Sequence, residues 1–241
     1  MSTIRFYPFN EGTRSFANPP QPASRMIPEW YKKQPASVGD DKEFYPRGGL
    51  NSTVKRCMPV FDMLTAGYMI TFPMDIYIDA TNPEKIEWSV PMPLKNFGSD
   101  MVATHTPEQV SHYPIDLTRY HKNVFRILPF WSVETDPGYS TLFLHPMHRD
   151  DLPFKSFEAF VDTDGFISDG HLSMFIKKDF KGVIKQGTPL VQVIPIKRED
   201  WSMELVDTDI SNAALKAQRL SIRSMFKHSY KEKFRSRKEY K

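Results

Sequence analysis

Apolar and polar positions follow their most regular pattern between Ala159 and Trp201. Leu190 to Ile194 and His171 to Ile176 alternate with period two, which sends successive side chains to opposite faces of a half-buried strand. Between them, Gly182 and the run Gln186-Gly187-Thr188-Pro189 offer the positive φ and the fixed φ that a tight reversal needs. The stretch predicts a strand-turn-strand unit near the end of a β domain. Upstream, Met69 to Phe72, Met74 to Asp79 and Ile86 to Val90 predict three strands separated by Pro73 and Asn82-Pro83. In the second of these, Asp75, Tyr77 and Asp79 oppose Met74, Ile76 and Ile78, giving one wet and one buried face. Val60, Phe61, Leu64 and Tyr68 recur at helical spacing after Pro59 and predict a short helix.

A second β block opens at Phe125 to Pro129. It continues through Trp131 to Glu134, then Tyr139 to His145 after the turn Asp136-Pro137-Gly138, then Phe157 to Asp162. Between the blocks, Pro91 to Lys122 reads as a polar loop bearing His105, His112 and His121. The fold expected from these patterns is mainly β: a β-sandwich, jelly-roll or β-clip-like domain over residues 50–208. An extended proline-rich arm (1–49) precedes it and one C-terminal α-helix with a basic tail (209–241) follows. Asp209 or Ser211 can cap that helix, and Leu215, Ile222, Phe226 and Tyr230 fall near one face.

Composition sharpens this picture. Twenty prolines against eleven glycines favour short strands and irregular connections, because proline neither donates to a ladder nor continues a helix. In the arm, Asn18-Pro19-Pro20-Gln21-Pro22, Ile27-Pro28, Gln34-Pro35 and Tyr45-Pro46 break any periodicity; only Pro28 to Lys33 predicts a helical turn, with Trp30 and Tyr31 pinning the arm. Such an arm either wraps its own domain or embraces a neighbouring subunit. Trp88, Trp131 and Trp201 lie in or beside strands and are expected in the core. The single cysteine, Cys57, excludes an internal disulfide and a multi-cysteine zinc site, and reads as a small buried hydrophobe. The opening MSTIRFYPFNEG has no basic segment followed by an apolar one, and no window is long and apolar enough to span a bilayer. A protein of the cytoplasm or of a virion, with no membrane partner, is expected. The net charge is only +3, yet the stretch from Asp209 carries ten Lys and Arg against three acids, leaving +7 on the tail and −4 on the body.

Three constellations suggest chemistry. His148 and Asp150 have the H-x-D spacing that resembles the first two ligands of Fe(II)/2-oxoglutarate oxygenases, in which two histidines and a carboxylate hold Fe²⁺ on one face. His171 or His228 would then be the third ligand; a solvated loop explains the same residues without a metal. Val161-Asp162-Thr163-Asp164-Gly165-Phe166 with Gly187 to Gln192 resembles two elements of the trimeric dUTP pyrophosphatases and dCTP deaminases. The resemblance implies Asp162 as the general base, Gln192 as a phosphate-side ligand and Mg²⁺ as cofactor. It lacks that family's R-S-S triad, since Ser140-Thr141-Leu142 follows Tyr139, and its C-terminal glycine-rich phosphate loop; aspartates capping a β turn are the alternative. Finally, Arg219, Arg223, Lys227, Arg235 and Arg237 give the last segment a basic face. It suits nucleic acid or an acidic partner, or a solvated face of a packed helix.

Over Lys55 to Trp201 the chain resembles a family of bacterial and tailed-phage proteins with no assigned activity. The resemblance is carried by Arg56-Cys57-Met58-Pro59-Val60, Ala66-Gly67-Tyr68, Phe125-Arg126, Pro137-Gly138-Tyr139, Val161 to Asp164 and Gly187-Thr188-Pro189 through Ile194-Pro195. It implies a shared β fold. The expected function is a non-enzymatic phage-type accessory or virion-associated protein that binds itself or other phage proteins. Nucleotide hydrolysis and iron-dependent oxygenation are the alternatives.

Overall fold

The computed structural model describes residues 2–39, 52–91, 101–167, 171–206, 213, 215–218 and 230–241. The chain is mainly β, as the alternation predicts. Its elements are β1 (Ile4–Pro8), β2 (Gln21–Pro22), α1 (Glu29–Lys33), α2 (Met58–Leu64), β3 (Tyr68–Thr71), β4 (Ile76–Asp79), β5 (Glu87–Ser89), β6 (Val102–His105), β7 (Tyr120–Ile127), β8 (Trp131–Thr135), β9 (Tyr139–Leu144), β10 (Phe154–Ser156), β11 (Ala159–Val161), β12 (Leu172–Lys177), β13 (Lys181–Ile184) and β14 (Pro189–Lys197). A π-helical turn follows at Tyr230–Phe234. Among the described residues no helix is long and apolar enough to cross a membrane.

The chain divides into two compact units, residues 1–26 with 67–198 and residues 27–66 with 199–241. In the first unit every strand pairing is antiparallel, in sheets ordered β11-β9-β14-β3-β2, β10-β12-β7-β6, β13-β4-β5 and β1-β8. Phe72, Phe125, Phe154, Met174, Ile176 and Leu190 are sealed from solvent in its main core, and Ile70, Val133, Phe143, Val191 and Val193 form a second cluster. β14 lies centrally because both its edges are used: Gln192 lies opposite Met69 of β3 and opposite Leu144 of β9. Gly67, at φ 67°, is required beside it, since a Cβ there would lie 2.0 Å from the Val193 carbonyl oxygen.

Several expectations change. Of the two places open to the proline-rich arm, its first 26 residues take the one on their own chain, as strands of the first unit: β1 pairs along β8, Ile4 opposite Thr135 through Pro8 opposite Trp131, and β2 pairs with β3. Prolines at the end of β1 and in β2 sit where an edge strand tolerates them. The Ala159 to Trp201 stretch is no strand-turn-strand unit in the paired sense, because β12, β13 and β14 enter three different sheets. The turns between them explain this: Asp179 at φ 62° and Gly187 at φ 80° redirect the chain rather than closing a two-residue hairpin. The Pro91 to Lys122 loop contains β6 and the start of β7. His121, expected on the surface, is buried on β7, where its Nδ1 accepts from the Asn123 amide and its Nε2–H donates to the Asn82 carbonyl. Cys57 is exposed.

The second unit holds α1 and α2. Tyr31 is buried on α1, donates its hydroxyl to the Lys55 carbonyl at 3.2 Å and carries the Lys55 ammonium over its ring. On α2, Asp62 takes a bidentate ion pair from Arg235. Residues 215–218 of the expected C-terminal helix are helical, while residues 235–241 have no regular secondary structure.

Candidate functional site

β9 leads into the loop that carries His145, His148 and Asp150, and this loop lines a cleft of about 370 Å³ together with Arg119, Lys155 and Glu158. The His145 imidazole accepts from the Ser156 amide at Nδ1 (3.2 Å) and donates from Nε2–H to the Arg149 carbonyl (3.3 Å). Burial pushes its pKa down, which favours this neutral form. With both nitrogens committed, the ring has no lone pair for a metal or a substrate proton. His148 is exposed at φ 56°. The Asp150 carbonyl accepts from the Lys177 ammonium at one end of β12, whereas His171 precedes the other end. Roughly 20 Å of strand separates residues 171 and 177 at the usual rise per residue. Among the described residues no three His, Cys, Asp or Glu side chains gather as metal ligands, so His148, Asp150 and His171 do not form the facial triad.

At the opposite end of β9 a second cluster forms around Arg198. Asp164 accepts from the Gly138 amide at 2.8 Å and from both terminal nitrogens of Arg198, one at 2.8 Å. The arginine hydrogen bonds, then the Gly138 amide, hold its pKa at about 2. Asp162 accepts from the Ser140 hydroxyl at 2.6 Å and lies 3.4 Å from Arg198. Between them Thr163 is fully buried, its hydroxyl within 2.8 Å of those of Thr135 and Thr141. Asp164, titrating near 2, is a poor base at neutral pH, and with Asp162 engaged by Ser140 and Arg198 the arrangement serves as a clamp. It fixes Arg198, whose amide donates to the Gly138 carbonyl, at the point where β14 ends.

Gln192 is not part of this clamp. It is buried on β14 with its Oε1 accepting from the Met147 amide, opposite Leu144, while Asp162 bonds Ser140. Four residues of β9, roughly 13 Å, lie between the two places. The two residues that the dUTP pyrophosphatase resemblance pairs are therefore held apart.

Comparison with known protein families, curated proteins and solved structures finds no match.

Of the basic tail, Arg219, Arg223 and Lys227 lie outside the described residues. Arg235 is half buried in its ion pair with Asp62, whose pKa that pair lowers, while Arg237 is exposed. One of the five cations is thus turned to an internal partner.

The feature that pattern reading misplaces follows the clamp directly. Trp201, Met203 and Leu205 are 88%, 87% and 87% exposed, and residues 199–206 have no regular secondary structure. The expectation that Trp201 is core fails because this segment belongs to no sheet. Isolated exposed apolar residues are ordinary, but three in alternation, one of them a tryptophan, form an apolar ladder with which no strand among the described residues pairs. The alternation itself was the available signal; what it lacked was a partner strand.

Proposed function

We propose that the chain works by binding protein, as an accessory or virion-associated protein of phage type that associates with itself or with other phage proteins. The ladder of Trp201, Met203 and Leu205 carries this reading. An extended segment with alternate apolar side chains is the form in which peptides dock, the backbone giving affinity and every second side chain filling a pocket. Tryptophan is among the residues that dominate interface energies. The clamp around Arg198 adds to it by fixing where the segment leaves the β body.

A photo-cross-linking amino acid at position 203, in cells making the full chain together with the phage structural proteins, tests the reading. Protein adducts larger than the single chain are expected, and Trp201→Ser should remove them. An absence of adducts overturns the reading.

A further inference from the structure

We infer that the ladder of one chain seats in a groove on the first unit of a second copy. The inference rests on the protein-binding reading above and names its partner. The acceptor is a groove of about 460 Å³ lined by Phe6, Arg14, Ala17, Pro19, Pro20 and Trp131. Its wall is mostly apolar, as the ladder requires, and it has room for large side chains. Within that wall the indole N–H of Trp131 is shut off from water without an acceptor. A buried donor left unpaired is costly, and a docked backbone carbonyl would satisfy it after a small shift of the ring.

Charge favours this groove over two exposed sheet edges. Glu199, Asp200 and Glu204 make the segment acidic, with no cation between Glu199 and Val206. With the odd-numbered apolar residues turned inward, Asp200 and Glu204 point to the rim. Arg14 is exposed on that groove and has no hydrogen-bond or ion-pair partner among the described residues. The edge strand β11 also presents apolar surface, with Phe160 55% exposed, but Glu158 at one end would repel the segment, while Asp162 at the other is already held by Ser140 and Arg198. The edge strand β13 has Lys181 and is followed by Lys185, yet these are already paired with Asp79 and Asp75. Donor and acceptor occur on every chain, so two copies can exchange ladders and close a two-fold dimer.

Sedimentation equilibrium on the purified full chain decides. The wild type should dimerise, Trp201→Ser should raise the dimer Kd by about 30-fold or more, and Arg14→Glu should raise it several-fold. Combining Arg14→Glu with Asp200→Arg and Glu204→Arg should recover most of the loss, because attraction is restored with the signs exchanged. All these positions are exposed, so loss of folding does not imitate the result. A chain that stays monomeric at high micromolar concentration, or a dimer indifferent to Trp201→Ser, overturns the inference. So does a dimer that needs Trp201 but ignores both Arg14→Glu and the charge exchange, since the ladder then docks elsewhere. In each case adducts at position 203 with another protein leave the protein-binding reading standing, whereas absence of any adduct removes it.

Discussion

β14, buried along five consecutive residues, and the eight residues after it both carry large apolar side chains, yet these reach opposite ends of the burial scale. Leu190, Val191 and Val193 are 0% exposed, while Trp201, Met203 and Leu205 are almost fully exposed. Leucine, methionine and tryptophan are as fit for a core as leucine and valine, although Arg198, Glu199, Asp200 and Glu204 make the second run the more polar. The difference lies in neighbours: β14 has β3 along one edge and β9 along the other, and the following segment has neither. Alternation therefore shows that a segment has an apolar face, and only pairing shows whether the same chain covers it. Where the chain leaves such a face bare, another molecule is the natural cover.

The contrast breaks first if β14 is less essential than its burial implies. Leu190→Ala removes a side chain packed in the main core and should destabilise the first unit by about 2–5 kcal/mol. Urea denaturation followed by tryptophan fluorescence measures it. A loss below about 1 kcal/mol would show that the site collapses around the gap and that the first unit does not depend on the burial of β14.

Gln192 gives the next effect. Replacement by Leu keeps the strand but leaves the Met147 amide without its acceptor, at a cost of about 1–3 kcal/mol. The same denaturation experiment reads it. A neutral result would free Gln192 from its anchoring role and reopen the question of what a buried amide does on this strand.

How much of this was legible beforehand follows the same division. Strands β3, β4, β8, β9, β12 and β14 and the helix after Pro59 stand where local period and proline placed them, because those signals are local. The pairing of β1 with β8, over more than 120 residues of chain, and the dispersal of β12, β13 and β14 among three sheets depend on long-range register that no local pattern encodes. The candidate sites suffered equally. Asp162 and Gln192 look paired in sequence, yet Ser140 and Leu144 hold them at opposite ends of one strand. Asp150 and His171 are separated by the length of β12. Arg198, which organises both aspartates, carries no motif of its own.

The clamp makes a smaller contribution with a definite pH sign. The Asp164 carboxyl titrates at about 2 in the folded chain against an ordinary 3.8, so the folded state holds its proton less tightly than the unfolded one. Its stabilisation is fully present above about pH 4 and is lost as pH falls toward 2. Asp164→Asn should flatten the acid limb of a stability profile in that window and leave the neutral limb parallel to wild type. Equal slopes for the two proteins between pH 4 and pH 2 would mean that Arg198 does not hold Asp164 in solution.

The smallest stability effect tests the other half of the contrast. Trp201→Ser removes the largest side chain of the ladder, and a buried tryptophan would cost about 3–5 kcal/mol on truncation. At 88% exposure it touches too little to matter to its own chain. Thermal unfolding at concentrations low enough to keep the chain dissociated should therefore show a change within about 0.5 kcal/mol. Raising the concentration should then stabilise the wild type more than the variant, because association adds free energy only to the folded state that binds. A large loss at high dilution would show that Trp201 is covered by its own chain, and β14 and the segment after it would cease to be opposites.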